Sequence, residues 1–152
     1  MAAFLLMSCN QWDTLRVFEK NVQVPGYEWS YNFRPSFTVE ITDTAATYNI
    51  YVTLRHTEAY PFSNIWLLIT TEFPGEKPQT RRVELPLADV TGKWLGSGMD
   101  DIYEHRIPIQ QNALFNKPGS YHFSFEQNMR QNPLPHVMSV GLRVEKAGTA
   151  TP

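Results

Sequence analysis

The amino-acid sequence predicts an all-β protein, an antiparallel β-sandwich formed by a single domain. The chain has 152 residues, a typical length for one domain with a buried core. Apolar and polar residues alternate with a period of two in roughly seven or eight short segments, and turn residues separate these segments. Helical periodicity is weak throughout. The spacing is compatible with an immunoglobulin-like or a jelly-roll-like topology, so the sandwich is predicted without its strand order.

The alternation predicts which side chains face the core. The nearly continuous apolar run of residues 65–73 predicts a central strand. Residues 110–115 are compatible with one turn of helix. The other segments are predicted to point the following side chains inward: Phe37, Val39 and Ile41; Tyr48, Ile50, Val52 and Leu54; Val83, Leu85 and Leu87; Ile107 and Ile109; Tyr121, Phe123 and Phe125; and Val140, Leu142 and Val144.

Charge and cysteine content exclude several classes of protein. The formal net charge is −2 and the positive residues are scattered, so we expect no nucleic-acid partner. A single cysteine excludes an internal disulfide and a cysteine-rich zinc site. No apolar stretch reaches the ~20 residues that a membrane-spanning helix needs.

The first residues predict a lipid anchor. Leu6, Met7 and Ser8 precede Cys9 as in a bacterial lipobox, whose cysteine receives the lipid. A signal peptide ordinarily has a basic segment and ~7–15 apolar residues, and these do not fit ahead of Cys9. Either the natural start lies upstream or the apolar run is a buried first segment. We divide the chain into a truncated signal with its lipobox (1–9), a segment joining the sandwich (10–28), the sandwich domain (29–146) and a frayed tail (147–152).

The sequence shows no motif of a catalytic or metal site. There is no GxSxG nucleophile motif, and the glycines around Ser97 lack the third glycine of a dinucleotide-binding loop. The four histidines are dispersed without metal-ligand spacing. Asp100 and Asp101 could bind a cation, but acidic residues in a solvated turn are the simpler interpretation. We therefore expect no enzymatic activity, no cofactor and no metal.

The tryptophans are predicted to have different roles. Trp29 and Trp66 lie in or beside predicted strands and are expected in the core. Trp94 lies in a glycine-bounded loop, where it could stack on a sugar together with Tyr103 or fold back to plug the end of the sandwich. We favour plugging, because burying an indole stabilises the fold by a few kcal/mol. His122 alternates with apolar neighbours and is expected to face solvent.

Several short motifs follow one another along about residues 29–146. In this order and spacing they resemble the GldH family of gliding-motility lipoproteins, found in the Bacteroidetes. The motifs are Tyr48-Asn49, Leu54-Arg55, Tyr60-Pro61-Phe62-Ser63-Asn64, Leu87-Ala88-Asp89, Gly92-Lys93-Trp94-Leu95-Gly96, Gly119-Ser120-Tyr121, Gln127-Asn128-Met129-Arg130 and Val140-Gly141-Leu142-Arg143.

The resemblance implies a protein of the bacterial cell envelope, attached to the membrane through lipidated Cys9. It implies a non-catalytic structural or interaction component of the gliding and secretion machinery, with other envelope proteins as partners. No acidic cluster follows Cys9, so we expect the outer membrane and its periplasmic side. The alternative function is a carbohydrate- or peptidoglycan-binding β-sandwich module.

Five residues of the shared motifs and the loop form a candidate docking patch. An arginine beside a core needs partners, and Asp89, Asp100 and Asp101 could supply them. One interpretation is therefore that the arginines fasten the glycine-rich loop to the edge of the sandwich, and we favour it. The other is that they form a docking surface for another envelope protein. The residues are Trp94, Arg55, Asn64, Arg130 and Arg143.

Overall fold

The computed structural model of the protein describes residues 15–149. These residues form eleven β-strands and one short 3-10 turn. In chain order the elements are β1 (Arg16–Gln23), the 3-10 turn (Pro25–Tyr27), β2 (Glu28–Trp29), β3 (Ser36–Ile41), β4 (Ala46–Thr57), β5 (Asn64–Glu72), β6 (Gln79–Pro86), β7 (Ser97–Met99), β8 (Ile102–Leu114), β9 (Gly119–Gln127), β10 (Leu134–Pro135) and β11 (Val137–Thr149).

The strands are arranged in two main antiparallel sheets, which confirms the predicted all-β sandwich. The five-stranded sheet has the order β1-β11-β4-β8-β7, and the four-stranded sheet has the order β3-β9-β5-β6. Strands β2 and β10 form a separate short pair. Many neighbouring strands are distant in sequence, and β11 lies between β1 and β4. The first and last long strands of the described chain therefore hold each other in place.

One continuous core lies between the sheets. Strand β3 alternates strictly between exposed and buried residues, and β5 and β9 also bury every second residue along most of their length. Strand β5 lies between β9 and β6, as the apolar run predicted. Trp29 is fully buried, as expected. Trp66 is not, because it has the same parity as Leu68 and points to the outer face, where it is half-buried.

The strands extend beyond residues 29–146, the bounds given for the sandwich from the sequence, and the helical turn considered for residues 110–115 is absent. The sandwich begins with β1, well before residue 29, because residues of β1 pair with β11 from Glu145 to Ser139. It extends beyond residue 146, because Gly148 pairs with Thr47 after a local shift in register. Residues 110–115 belong mostly to β8 and form no helical turn.

Aromatic residues close one end of the core. Phe115 packs 4.5 Å from the ring of Tyr121 and 5.2 Å from that of Tyr48. The two tyrosine hydroxyls donate to main-chain carbonyls, that of Tyr121 to Lys117 (2.6 Å) and that of Tyr48 to Asp43 (2.5 Å). The rings are thus buried while their polar atoms remain hydrogen-bonded.

Gly141 leaves space for a side-chain hydrogen bond on the outer face of the five-stranded sheet. It lies in β11 between Asn21 of β1 and Thr53 of β4. The Thr53 hydroxyl donates to the Asn21 side-chain oxygen (2.5 Å), across the backbone of Gly141. A Cβ at Gly141 would overlap both of these side chains and the carbonyl oxygen of Lys20. The position therefore requires glycine for space.

We expect Gly141→Ala to lower the free energy of unfolding by about 1–3 kcal/mol, the usual cost of overpacking. Gly148→Ala is the matched control in the same strand, because its Cβ would meet only Thr47 Oγ1, at 3.8 Å. That variant should remain within about 0.5 kcal/mol of the wild type. Urea unfolding of the three proteins measures both values. Equal stabilities for the two variants would contradict the steric argument.

Candidate functional site

Two buried histidines meet at the end of the core opposite the aromatic cluster around Phe115. His56 of β4 and His105 of β8 lie on the inner face, and their Nε2 atoms are 2.8 Å apart. His56 Nδ1 lies 2.7 Å from the carbonyl oxygen of Thr57. Because a carbonyl only accepts, His56 carries its proton on Nδ1, and its Nε2 accepts from His105. The pair is therefore a hydrogen bond between two neutral rings.

Trp94 covers this histidine pair. Its ring lies 4.4 Å from that of His56 and 5.7 Å from that of Tyr103, and it packs against the core. The loop is held by a bond from the Leu95 amide to the Leu87 carbonyl (2.8 Å). Gly96 lies against His105, where a Cβ would come within 2.9 Å of the ring. Trp94 thus plugs the end of the sandwich, as predicted.

Burial sets the protonation of the two histidines. Desolvation, and to a lesser extent the charge of His56, lower the pKa of His105 to about 4. Desolvation likewise lowers the pKa of His56, opposed by its bond to the Thr57 carbonyl. Both rings are therefore neutral at pH 7, in agreement with the hydrogen bond between them.

Arg143 fastens three strands together on the outer face of the five-stranded sheet. Its side chain is only 4% exposed, and Nη1 lies 2.7 Å from Glu19 of β1. Nε and Nη2 each lie 3.1 Å from Glu145 Oε2, and Glu145 Oε1 accepts from the Tyr51 hydroxyl of β4 (2.9 Å). This buried, charge-assisted network connects β1, β11 and β4.

Arg55 lies on the same outer face but is solvent-exposed. It forms an ion pair with Glu104 of β8 (3.2 Å), with both side chains about half exposed. The two residues border a polar depression of about 300 Å³ that also contains Asn21 and Thr53. An exposed pair of this kind contributes little to stability, so Arg55 remains accessible to solvent.

A second pocket, of about 290 Å³, lies on the outer face of the four-stranded sheet. Its centre is Trp66, with the guanidinium carbon of Arg82 3.8 Å above the ring centroid. Arg82 Nε donates to the Asn128 side-chain oxygen (2.7 Å), which fixes the guanidinium over the indole. We call it the Trp66 pocket. It is lined by Phe62, Asn64, Trp66, Arg82, Asn128, Met129 and Arg130.

The five residues of the candidate docking patch do not form one surface. Arg55 and Arg143 lie on the outer face of the five-stranded sheet, whereas Asn64 and Arg130 line the Trp66 pocket on the other sheet. Trp94 covers the end of the sandwich between them. Cys9, the predicted lipid-attachment residue, lies outside the described residues.

The arginine partners also differ from those expected. Arg143 pairs with Glu19 and Glu145, and Arg55 pairs with Glu104, instead of with the aspartates of the glycine-rich loop. Asp89 accepts three hydrogen bonds within its own turn, from Thr91 and Lys93. Arginine does fasten the sandwich, but it joins strands and not the loop.

Sequence analysis missed Arg82 and the pairing of the histidines. The alternation in β6 did indicate the direction of Arg82. Because Val83 and Leu85 point inward, Arg82 must point outward. His56 and His105 both have inward parity, but their strands could be recognised as neighbours only in the folded chain. His122 is exposed, as predicted, and its Nδ1 lies 2.9 Å from Thr38 Oγ1.

Residues 15–149 lack two further features. This part of the chain contains no group of three or more His, Cys, Asp or Glu side chains placed to hold a metal ion. It also contains no helix with the length and hydrophobicity of a membrane span.

The fold and surfaces define a single-domain β-sandwich with polar pockets on both outer faces. The family described as GldH lipoprotein matches residues 16–144 of the chain. The chain therefore belongs to the GldH lipoprotein family, which confirms the resemblance.

Two relatives match along nearly their whole length. A gliding motility lipoprotein GldH homolog of Christiangramia forsetii is 28% identical, covering 94% of this chain and 90% of the relative. The gliding motility lipoprotein GldH of Flavobacterium johnsoniae is 29% identical, covering 96% and 92%. No solved structure matches the chain.

The histidine pair predicts a pH dependence of stability. Folding lowers the pKa of His105 from 6.5 to about 4, so between these values the unfolded chain binds more protons than the folded chain. Stability should therefore fall as the pH drops through this window. In His105→Gln the amide nitrogen can still donate to His56 but does not titrate. We expect urea unfolding from pH 7 to pH 4 to show a shallower loss of stability in this variant.

His122→Gln is the matched control, because His122 is exposed and remote from the pair. Its stability curve should run parallel to that of the wild type. If the His105→Gln curve is also parallel, His105 does not contribute to the acid sensitivity of the protein.

Proposed function

We propose that this protein is a lipid-anchored component of the bacterial cell envelope, and that it serves the gliding and secretion machinery by binding other envelope proteins. The observation that carries this proposal is its similarity to two gliding motility lipoproteins over 94% and 96% of the chain. The proposed site is the outer membrane, with the sandwich facing the periplasm.

The anchor would hold the sandwich close to the membrane. Six residues separate Cys9 from Arg16, where β1 begins. Even fully extended, such a segment reaches only about 20 Å. The domain is thus proposed to act at the membrane surface and to meet partners that are themselves in or on the membrane.

The use of the reactive side chains supports a non-catalytic role. His56 and His105 bond to each other beneath Trp94, and Arg143 forms ion pairs with two glutamates. These groups stabilise the fold in their observed arrangement. The proposal therefore assigns the protein to binding and not to chemistry.

The alternative, a carbohydrate- or peptidoglycan-binding module, relied on Trp94 and Tyr103. Both rings pack around His56, with Trp94 folded onto the core. A sugar platform needs an open aromatic face, so this packing favours a protein partner over a glycan.

The lipid anchor is tested by labelling with radioactive palmitate in the native bacterium. We expect the wild-type protein to incorporate label and to fractionate with the outer membrane, and Cys9→Ala to do neither. Ser8→Ala is the matched control, because it keeps a small residue before the acceptor cysteine. Undiminished label in Cys9→Ala would show that the lipid is attached elsewhere or that the label has another origin.

The interaction role is tested by crosslinking in intact cells, followed by purification from envelope membranes and mass spectrometry. We expect gliding or secretion proteins to be recovered with the wild-type chain, and recovery to fall strongly when Cys9→Ala releases it from the membrane. Recovery of the protein without such partners, at normal abundance and location, would refute the proposed role.

A further inference from the structure

The Trp66 pocket presents an arginine with a fixed orientation. The guanidinium carbon of Arg82 lies over the indole of Trp66, 3.8 Å from the ring centroid, and the Nε–H bonds to Asn128. Neither contact uses the edge formed by Nη1 and Nη2, and these atoms have no hydrogen-bond partner within residues 15–149. That edge is a two-donor fork, which matches the two oxygens of a carboxylate.

A second arginine lines the same pocket. Arg130 is exposed and forms no ion pair or hydrogen bond with the described part of the chain. Asn64 and Asn128 add side-chain amides to the lining. The polar part of the pocket therefore offers mainly hydrogen-bond donors and two positive charges.

The acidic residues nearby do not neutralise these arginines. Glu84 lies opposite Trp66 in the sheet, but it does not line the pocket and forms no ion pair with Arg82 or Arg130. Glu126 is on the neighbouring strand and pairs with Arg34 (3.3 Å). The residues that line the pocket thus carry two positive charges and no negative charge, on a protein whose net charge is negative.

The loop that carries Asn128, Met129 and Arg130 is rigidly held. Buried Gln127 accepts from the Met129 amide (2.8 Å) and donates to the Gln131 carbonyl (3.0 Å). The Tyr31 hydroxyl donates to the Met129 carbonyl (2.5 Å). A ligand would therefore lose little affinity to ordering of the loop on binding.

The remaining wall of the pocket is apolar. Phe62 and Met129 both pack against the core and line the pocket beside Trp66. A ligand that fits this lining has a carboxylate for the arginines and an apolar group next to it. The pocket also joins two motifs singled out in the sequence, Tyr60-Pro61-Phe62-Ser63-Asn64 and Gln127-Asn128-Met129-Arg130, which are brought together only by the fold.

We infer that the Trp66 pocket binds an acidic side chain, flanked by apolar residues, in a segment of a partner protein. Arg82 forms the two-pronged contact with the carboxylate, and Arg130 supplies the second charge. This inference rests on the proposed role as a docking component and names the chemistry of its partner.

Two other ligands fit the pocket less well. The guanidinium covers the face of Trp66, so a sugar cannot stack there in the observed arrangement. Each basic residue near an anionic membrane contributes about 1 kcal/mol of attraction, so membrane binding usually needs a cluster of several basic residues. Here two arginines line a bounded pocket of about 290 Å³, which has the dimensions of a side-chain site.

The inference is tested by NMR titration of the folded protein with two blocked peptides, acetyl-Leu-Glu-Leu-amide and acetyl-Leu-Gln-Leu-amide. We expect the glutamate peptide to shift the Trp66 indole and Arg82 Nε–H signals and to saturate at millimolar concentration. The glutamine peptide should bind at least fivefold more weakly, because it lacks the charge. Arg82→Met should weaken binding of the glutamate peptide at least tenfold.

Arg81→Met is the matched control, since it also removes one exposed arginine of β6 but lies outside the pocket and pairs with no acidic residue within residues 15–149. It should bind like the wild type. If Arg82→Met does not fold, Arg130→Met gives the same test, because Arg130 has no hydrogen bond or ion pair to lose within residues 15–149. Equal binding of the two peptides, or shifts caused by phosphatidylglycerol vesicles and not by the glutamate peptide, would overturn the inference.

The crosslinking experiment in cells separates this inference from the proposed function. An Arg82→Met, Arg130→Met double variant with unchanged melting temperature and membrane location should lose the partner that the wild type recovers. If the partner is retained, the pocket is not its binding site, while the docking role stands. If the wild type recovers no partner, the docking role itself fails, whatever the peptides do.

Discussion

Burial of alternate side chains between two sheets is the constraint on which the rest of this structure depends. A strand side chain that faces inward leaves water, so any polar atom it carries must bond within the protein. The Tyr48 and Tyr121 hydroxyls reach carbonyls at one end of the core, and the two histidines bond to each other at the other end. Both ends are closed by rings that bond to main-chain carbonyls or to one another.

The same constraint places the arginines on the outer faces, where their surroundings decide what each can do. Arg143 lies between Glu19 and Glu145 and is almost completely buried, so removing it would take the cation from Glu145 and leave Glu19 with only the longer, 3.7 Å contact to Arg16. Arg82 lies on an indole and bonds to one amide, and no acidic residue of the described part of the chain pairs with it. The first arginine is committed to joining strands, whereas the second keeps donors for an external ligand.

Period-two alternation along single strands predicts the fold class, the inward side chains and the central strand, because these depend on local sequence. It does not predict which strands are neighbours. His56 and His105 are 49 residues apart, and Arg143 and Glu19 are 124 apart, so their contacts depend on strand order. Strand β1, which precedes residue 29, was not predicted for a related reason: this edge strand is largely exposed, so alternation was too weak there to indicate a strand.

The two tryptophans show that the direction of a side chain, towards the core or towards solvent, changes its functional interpretation. A loop position suggested that Trp94 could bind a ligand, but the loop folds back and the ring is used to cover the histidines. A strand position suggested that Trp66 belongs to the core, but its parity directs it outward beneath Arg82. Because β5 is an interior strand, hydrogen-bonded on both sides, Trp66 is held more firmly than a loop residue would be. A binding site built on it is therefore already in its working geometry before a partner arrives.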